Sequence, residues 1–262
     1  MMIELFGTPA SGKTTFARAL TARLRELGYM VEQRLSARPT ERDSASNPFE
    51  GDDERHKNIL FRRASRPLAE ILTIARHPFV NARDIMMAVN LLRVLPPSNI
   101  ISSIKISQYT SRLSHSWYQL ACPTKIALFD QAFVQVMCSL ALLAHVDDAR
   151  LIAKALDVAP KSDVLIRLDA PLALVEARLK ERRRLQSAVE LMFEPDLKTS
   201  LSSISMIERL HTLLLSRGRL VLRASSVDDC SLNKSVNQIA EQIAAMFEAE
   251  QERAPSWESA VS

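Results

Sequence analysis

Eight consecutive residues near the start of this 262-residue chain carry its clearest chemistry. Gly7-Thr8-Pro9-Ala10-Ser11-Gly12-Lys13-Thr14 matches G-x-x-x-x-G-K-[ST] at every fixed position. In that pattern the backbone N–H groups of a tight loop and of a helix start surround an anion. Lys13 adds a point charge for the β- and γ-phosphates, and the Thr14 hydroxyl is a ligand for Mg²⁺. Gly12 lets the backbone approach phosphate with no Cβ in the way. The expected phosphate-binding set is Gly7, Thr8, Pro9, Ala10, Ser11, Gly12, Lys13, Thr14 and Thr15. The chain has only five glycines, where an average of about 7% would give roughly eighteen. Two of the five fall inside this loop.

Such a cradle needs an acid on a neighbouring strand for the magnesium shell. Asp130, after the apolar run Ile126–Phe129, is the candidate, so Thr14 and Asp130 form the expected metal set. An ordinary strand-end or N-cap role is the competing reading for Asp130. The next residue is Gln131, whose neutral amide cannot take a proton from water but can donate to and accept from a substrate. Gln135 follows one turn later, on what reads as the same helix face. Further on, Arg178-Leu179-Lys180-Glu181-Arg182-Arg183-Arg184 concentrates five cations around one anion. Arg178 and Arg182 are four apart and share a helix face. They could close over a triphosphate and neutralise its transition-state charge. A solvated face is the alternative, and it is preferred for Lys180 and Arg184.

The elements that would hold these residues follow from hydrophobic period. Met2–Phe6 reads as a buried strand ending at Gly7, and Phe16, Leu20, Leu24 and Leu27 mark a helix from Lys13 to Leu27, stopped by Gly28. Further strands are predicted at 30–35, 125–129, 163–168 and 219–223. Residues 36–53 carry Pro39 and Pro48 and no period, which predicts a mobile loop. A helical insertion spans about 54–121, broken at His77-Pro78 and Pro96-Pro97 into three helices, with Asn81 as N-cap of the middle one. Residues 131–145 read as a helix apolar on most sides, hence buried. Helices are also expected at 147–157, after Pro171, and at 231–250. Strands alternating with helices imply a parallel sheet covered on both faces. The expected architecture is one α/β domain over 1–250, a three-layer α/β/α P-loop NTPase sandwich with a five-stranded parallel sheet. It carries the helical insertion and an Arg-rich lid at about 178–200, and residues 251–262 form a disordered tail.

Composition removes several classes. The chain is 47% hydrophobic and 24% charged, with a formal charge of +4, so it is globular and only mildly basic. Aromatics are 5% and none interleaves with the basic run, which argues against a nucleic-acid groove and a polynucleotide 5′-kinase. No G-x-G occurs, so a dinucleotide fold of that kind is excluded. Cys122, Cys138 and Cys230 are far apart, and the five histidines have no ligand spacing. With no basic leader and no apolar run near 18 residues, a soluble, cytoplasmic protein is expected, without a membrane partner. A homodimer is compatible with the sequence, though nothing in it asks for one.

The pattern as a whole resembles the P-loop small-molecule kinases, the superfamily of thymidylate, adenylate and deoxynucleoside kinases. The resemblance is carried by Gly7–Thr14, by Asp130 after the third strand, and by the order of elements over most of the chain. Leu165-Ile166-Arg167-Leu168-Asp169-Ala170-Pro171 followed by Arg178 and Arg182 is similar to the strand-to-lid passage of thymidylate kinases. By that resemblance, Asp130 matches the aspartate of an Asp-Arg pair, and Ala224–Asp229 would edge the adenine. Three features depart from it. Gln131 replaces the arginine of the pair, no Glu-Pro-Gly follows the second strand, and no Glu-Arg-Ser follows the third. After the second strand stands Ser36-Ala37-Arg38-Pro39, with Arg38 as an acceptor-side cation.

The resulting expectation is an ATP- and Mg²⁺-dependent phosphotransferase acting on a nucleotide, nucleoside or other small polar metabolite. Lys13, Asp130, Arg178 and Arg182 are its expected catalytic residues, and Arg38, Gln131 and Gln135 its substrate-binding ones. The alternative is an ATP-binding regulatory ATPase or switch without a small acceptor. A guanine-reading site is disfavoured, because Asn233-Lys234-Ser235 is followed by Val236 where an acid is needed.

Overall fold

The computed structural model describes residues 1–35, 82–185 and 197–253. Five strands form one parallel sheet in the order β2-β3-β1-β4-β5: β1 (Met2–Gly7), β2 (Val31–Arg34), β3 (Ile126–Phe129), β4 (Val164–Asp169) and β5 (Val221–Ser225). The central strand β1 is buried along its whole length, as a strand covered on both faces must be.

Alternation along the strands sorts side chains into two cores. Ile3, Leu5, Ile126, Leu128, Ile166 and Leu168 face α1 (Lys13–Glu26) and α8 (Asp229–Arg253). Met2, Phe6, Ala127, Phe129 and Leu165 face the opposite layer. That second layer contains α2 (Ala82–Val94), α3 (Ile100–Leu120), α4 (Phe133–Leu143), α5 (Ala149–Val158) and α7 (Leu197–Ser216). The remaining described helix, α6 (Leu172–Leu185), follows β4. The result is the expected three-layer α/β/α sandwich around a five-stranded parallel sheet, with the Gly7–Thr14 loop between β1 and α1.

Several elements depart from the sequence reading. Helix α7 was not predicted, although Ser203, Met206, Ile207, Leu210 and Leu214 recur at helical spacing and are all buried. Buried Arg167 on β4 ties this helix to the sheet through its ion pair with Glu208. The start of α7 at Leu197 also overlaps the expected lid, of which residues up to 185 simply extend α6. Helix α8 runs to Arg253, three residues into the expected tail; the rest of that tail lies outside the described residues. So do the loop at 36–53, Asn81 and the first insertion helix. The other two insertion helices are α2 and α3, separated around Pro96-Pro97. Asp84 on α2 accepts a hydrogen bond from the Ser114 hydroxyl of α3 at 2.6 Å, both residues being buried.

Candidate functional site

The loop after β1 is shaped by backbone conformations that ordinary residues avoid. Gly12 has φ +93°, and a Cβ there would lie 2.2 Å from Ser226 Oγ. Ala10, at φ 58°, holds a left-handed conformation without being glycine, a strain typical of ligand-binding loops. Helix α1 then opens on Gly12 with no side-chain cap and no acid in its first turn. Its first N–H groups are left for an anion. Lys13 is buried, and its ammonium donates to the carbonyls of Gly7 and Thr8 at 2.9 and 2.8 Å. The buried hydroxyl oxygens of Thr8 and Ser11 have no hydrogen-bond partner in the structure. These features suit a ligand rich in acceptor oxygens.

The structure joins this cradle to the end of β3. The Thr14 hydroxyl donates to Asp130 Oδ2 at 2.9 Å, linking residues 116 apart in sequence. Asp130 is fully buried. A hydroxyl and a carboxylate oxygen at this separation are the hard donors that magnesium takes. Among the described residues no cluster of three or more His, Cys, Asp or Glu could hold a metal by itself. An ion here would complete its shell with phosphate oxygens and water.

Arg178 reaches the cradle from α6. Its guanidinium donates to Ala10 O at 3.3 Å and, in the turn between β5 and α8, to Ser226 O at 3.1 Å and Val227 O at 3.2 Å. Ser226 Oγ donates in turn to Ser11 O at 2.7 Å. The segment expected at the adenine edge and the lid helix therefore meet on the phosphate loop. Lys180 and Arg184 are exposed, as a solvated face requires. Arg182 lies on α6 with its side chain outside what the structure describes, and Arg38 lies outside the described residues altogether. Val236 is buried in the core under α8.

Gln131 and Gln135 do not share a helix face. The helix expected from 131 begins only at Phe133, because Ala132 has non-helical backbone angles (φ −140°, ψ −136°). Both side chains are half-buried, and the Gln135 side-chain Oε1 is buried with no partner.

Three residues near Asp130 were missed. Trp117 of α3 packs its ring 5.1 Å from Phe129 and 5.3 Å from Phe133, the residues on either side of the Asp130–Ala132 bend. Tyr109, also on α3, is near enough to Asp130 and Glu4 for their charges to matter. Burial pushes its phenol pKa up, those two carboxylates add to the effect, and Arg112 works against it. Glu4 lies 1% exposed on β1, with Oε1 accepting from Val134 N at 2.6 Å. Burial pushes its carboxyl up to about 8, against the pull of the amides of Val134, Gln135 and Phe133 and the charge of Arg219. A lone acid in an otherwise apolar strand was the available signal for Glu4. Nothing in the sequence announced the other two.

The sequence matches no family model and no curated protein. Among solved structures it is similar to deoxyadenosine kinase from M. mycoides with bound dCTP, at 13% identity and a TM-score of 0.43, over 94% of this chain and 100% of that one. It is also similar to Chaetomium thermophilum Kti12 in complex with ADP-AlF3, at 13% identity and a TM-score of 0.40, over 92% and 98%. Both likenesses are of fold alone.

Proposed function

We propose that this chain is an ATP-dependent phosphotransferase whose acceptor is a nucleotide, a nucleoside or another small polar metabolite. The observation that carries the reading is the hydrogen bond from Thr14 to the buried Asp130, with an amide and not an acid at the next position. The loop and the uncapped start of α1 bind the triphosphate, and Lys13 places its charge on the β- and γ-phosphates. Thr14 and Asp130 would hold Mg²⁺, which when bound neutralises charge building on the transferring phosphoryl group. Arg178, already seated on the loop, closes the cleft with Arg182 and lowers the cost of that charge further.

Gln131 and Gln135 sit on the acceptor side, where amides can bind polar groups without activating water. A kinase gains from lacking a base beside the γ-phosphate, because transfer to an acceptor competes with transfer to water. Asp130 can alternatively accept the acceptor's proton, and Arg38 supplies a cation on that side. Among the described residues no helix is long and apolar enough to cross a membrane, and the three cysteines are free. Both fit a cytoplasmic setting.

The test is a thermal-shift panel of nucleotides with candidate acceptors, followed by a coupled ADP-release assay. Mg·ATP and one acceptor should stabilise the protein more than either alone. ADP release should be slow without the acceptor and rise sharply with it. Several turnovers per second of unaided hydrolysis, accelerated by no acceptor, would hand the protein to the regulatory ATPase reading.

A further inference from the structure

We propose that Glu4 is a positioning residue: from the neighbouring strand it caps the N-terminus of α4, leaving Asp130 to serve the metal. This rests on the reading of Asp130 given above.

A helix start leaves several N–H groups without intrahelical partners, usually met by a Ser, Thr, Asp or Asn at the N-cap. Helix α3 follows that rule, with Asn99 Oδ1 accepting from Ile101 N at 2.8 Å, and so does α5, with Asp148 Oδ1 accepting from Arg150 N at 2.8 Å. Helix α4 does not. Its N-cap is Ala132, which has no side chain able to accept. Ala132, Phe133 and Val134 are all buried, which keeps bulk water from these amides. The cap-type side chain just before α4 in sequence is Asp130, whose Oδ2 accepts from Thr14.

Glu4 resolves the conflict from 130 residues away. Its Oε1 accepts from Val134 N, the second amide of α4, and the amides of Phe133 and Gln135 also favour its charge. The strand beneath it is rigid, since β1 pairs with β3 on one side and β4 on the other, Glu4 standing opposite Phe129 and Leu165. Residues 130–132 are thus strung between two fixed points, the β1–β3 pairing behind and the capped helix ahead. The titratable groups that act on Glu4 or feel it from the packed elements are Arg219 before β5 and Tyr109 on α3. Protonated or ionised, the carboxyl keeps a carbonyl oxygen that accepts the Val134 bond.

Two variants separate the cap from simple packing. Glu4→Leu keeps the volume and removes the acceptor; Glu4→Gln keeps an acceptor oxygen and removes the titratable group. Amide hydrogen exchange at 133–135 is read with nucleotide-binding calorimetry across a Mg²⁺ titration. In the wild type the Val134 amide should be strongly protected. In Glu4→Leu its exchange should accelerate about tenfold or more, the loss of one buried hydrogen bond. The Mg²⁺ concentration for half-maximal ATP binding should rise about as much, while ATP affinity in EDTA stays unchanged. Glu4→Gln should keep both quantities within about threefold of wild type.

An unprotected Val134 in the wild type would overturn the proposal. So would a native Mg²⁺ requirement in Glu4→Leu, or a Glu4→Gln as impaired as Glu4→Leu. If the wild type itself binds no Mg·ATP, the phosphotransferase reading falls, and the exchange of residues 133–135 still decides the cap.

Discussion

The two halves of the candidate site are built in opposite ways. The phosphate cradle is eight contiguous residues whose chemistry is mostly backbone: a left-handed Gly12, an uncapped helix start, and a lysine folded onto its own loop. The side around Thr14 and Asp130, proposed for magnesium and the acceptor, is assembled from β1, α1, α3, β3 and α4, through contacts between residues as far as 130 apart. A backbone device needs few particular side chains and tolerates none in the wrong place. A side-chain assembly can be retuned one residue at a time, which suits the half proposed to recognise an acceptor.

The largest expected effect falls on the cradle. Lys13→Ala should lower turnover about 10²–10³-fold, the range for removing one preorganised charge stabiliser. Steady-state ADP release with acceptor measures it, and an unchanged rate would mean that the loop does not bind the reacting phosphates. Arg178→Ala probes the bridge between cradle and lid. Turnover should fall about a hundredfold, less than the 10³–10⁵ of an arginine finger supplied in trans. ATP affinity should change much less, because closure acts mainly in the transition state. Full activity in that variant would leave Arg178 as a structural tie between α6 and the loop.

The smallest effect concerns the assembled half and is read by pH. The Glu4 carboxyl titrates near 4.5 when unfolded and at about 8 when buried. The native state therefore keeps a proton that the unfolded chain has already lost. The stability this contributes is complete below about pH 4.5 and is lost as pH rises through about 8. Between pH 5 and 8 the wild-type Tm should therefore fall measurably more than that of Glu4→Gln, which carries no titrating group there. Parallel Tm curves would mean that Glu4 does not titrate in this window.

The same division explains what could be read from sequence. The strands, α1, α4 and the whole cradle were legible because period and motif are local properties. Asp130 was legible because it ends an apolar strand. Helix α7 has a clear buried stripe, yet its serines and its place after the basic run hid it. The start of α4 was misplaced by two residues, since only tertiary structure reveals that Ala132 leaves the helical region and that the cap comes from β1. Trp117 and Tyr109 could not be assigned, because a helical insertion shows its own period but not which strand it will cover.

The strand order has a consequence for how the site comes into being. Both neighbours of β1 are distant in sequence, and β3 inserts between β1 and β2 after more than ninety residues of intervening chain. During synthesis the phosphate loop leaves the ribosome early, but its strand has nothing to pair with until Ile126–Phe129 arrives. Non-local pairing of this kind is slow, because the intervening chain must be ordered before the contacts repay it. Asp130, which would complete the proposed metal site, directly follows the strand that closes the gap. A nascent chain therefore cannot hold a finished cradle without acquiring Asp130 in the same step.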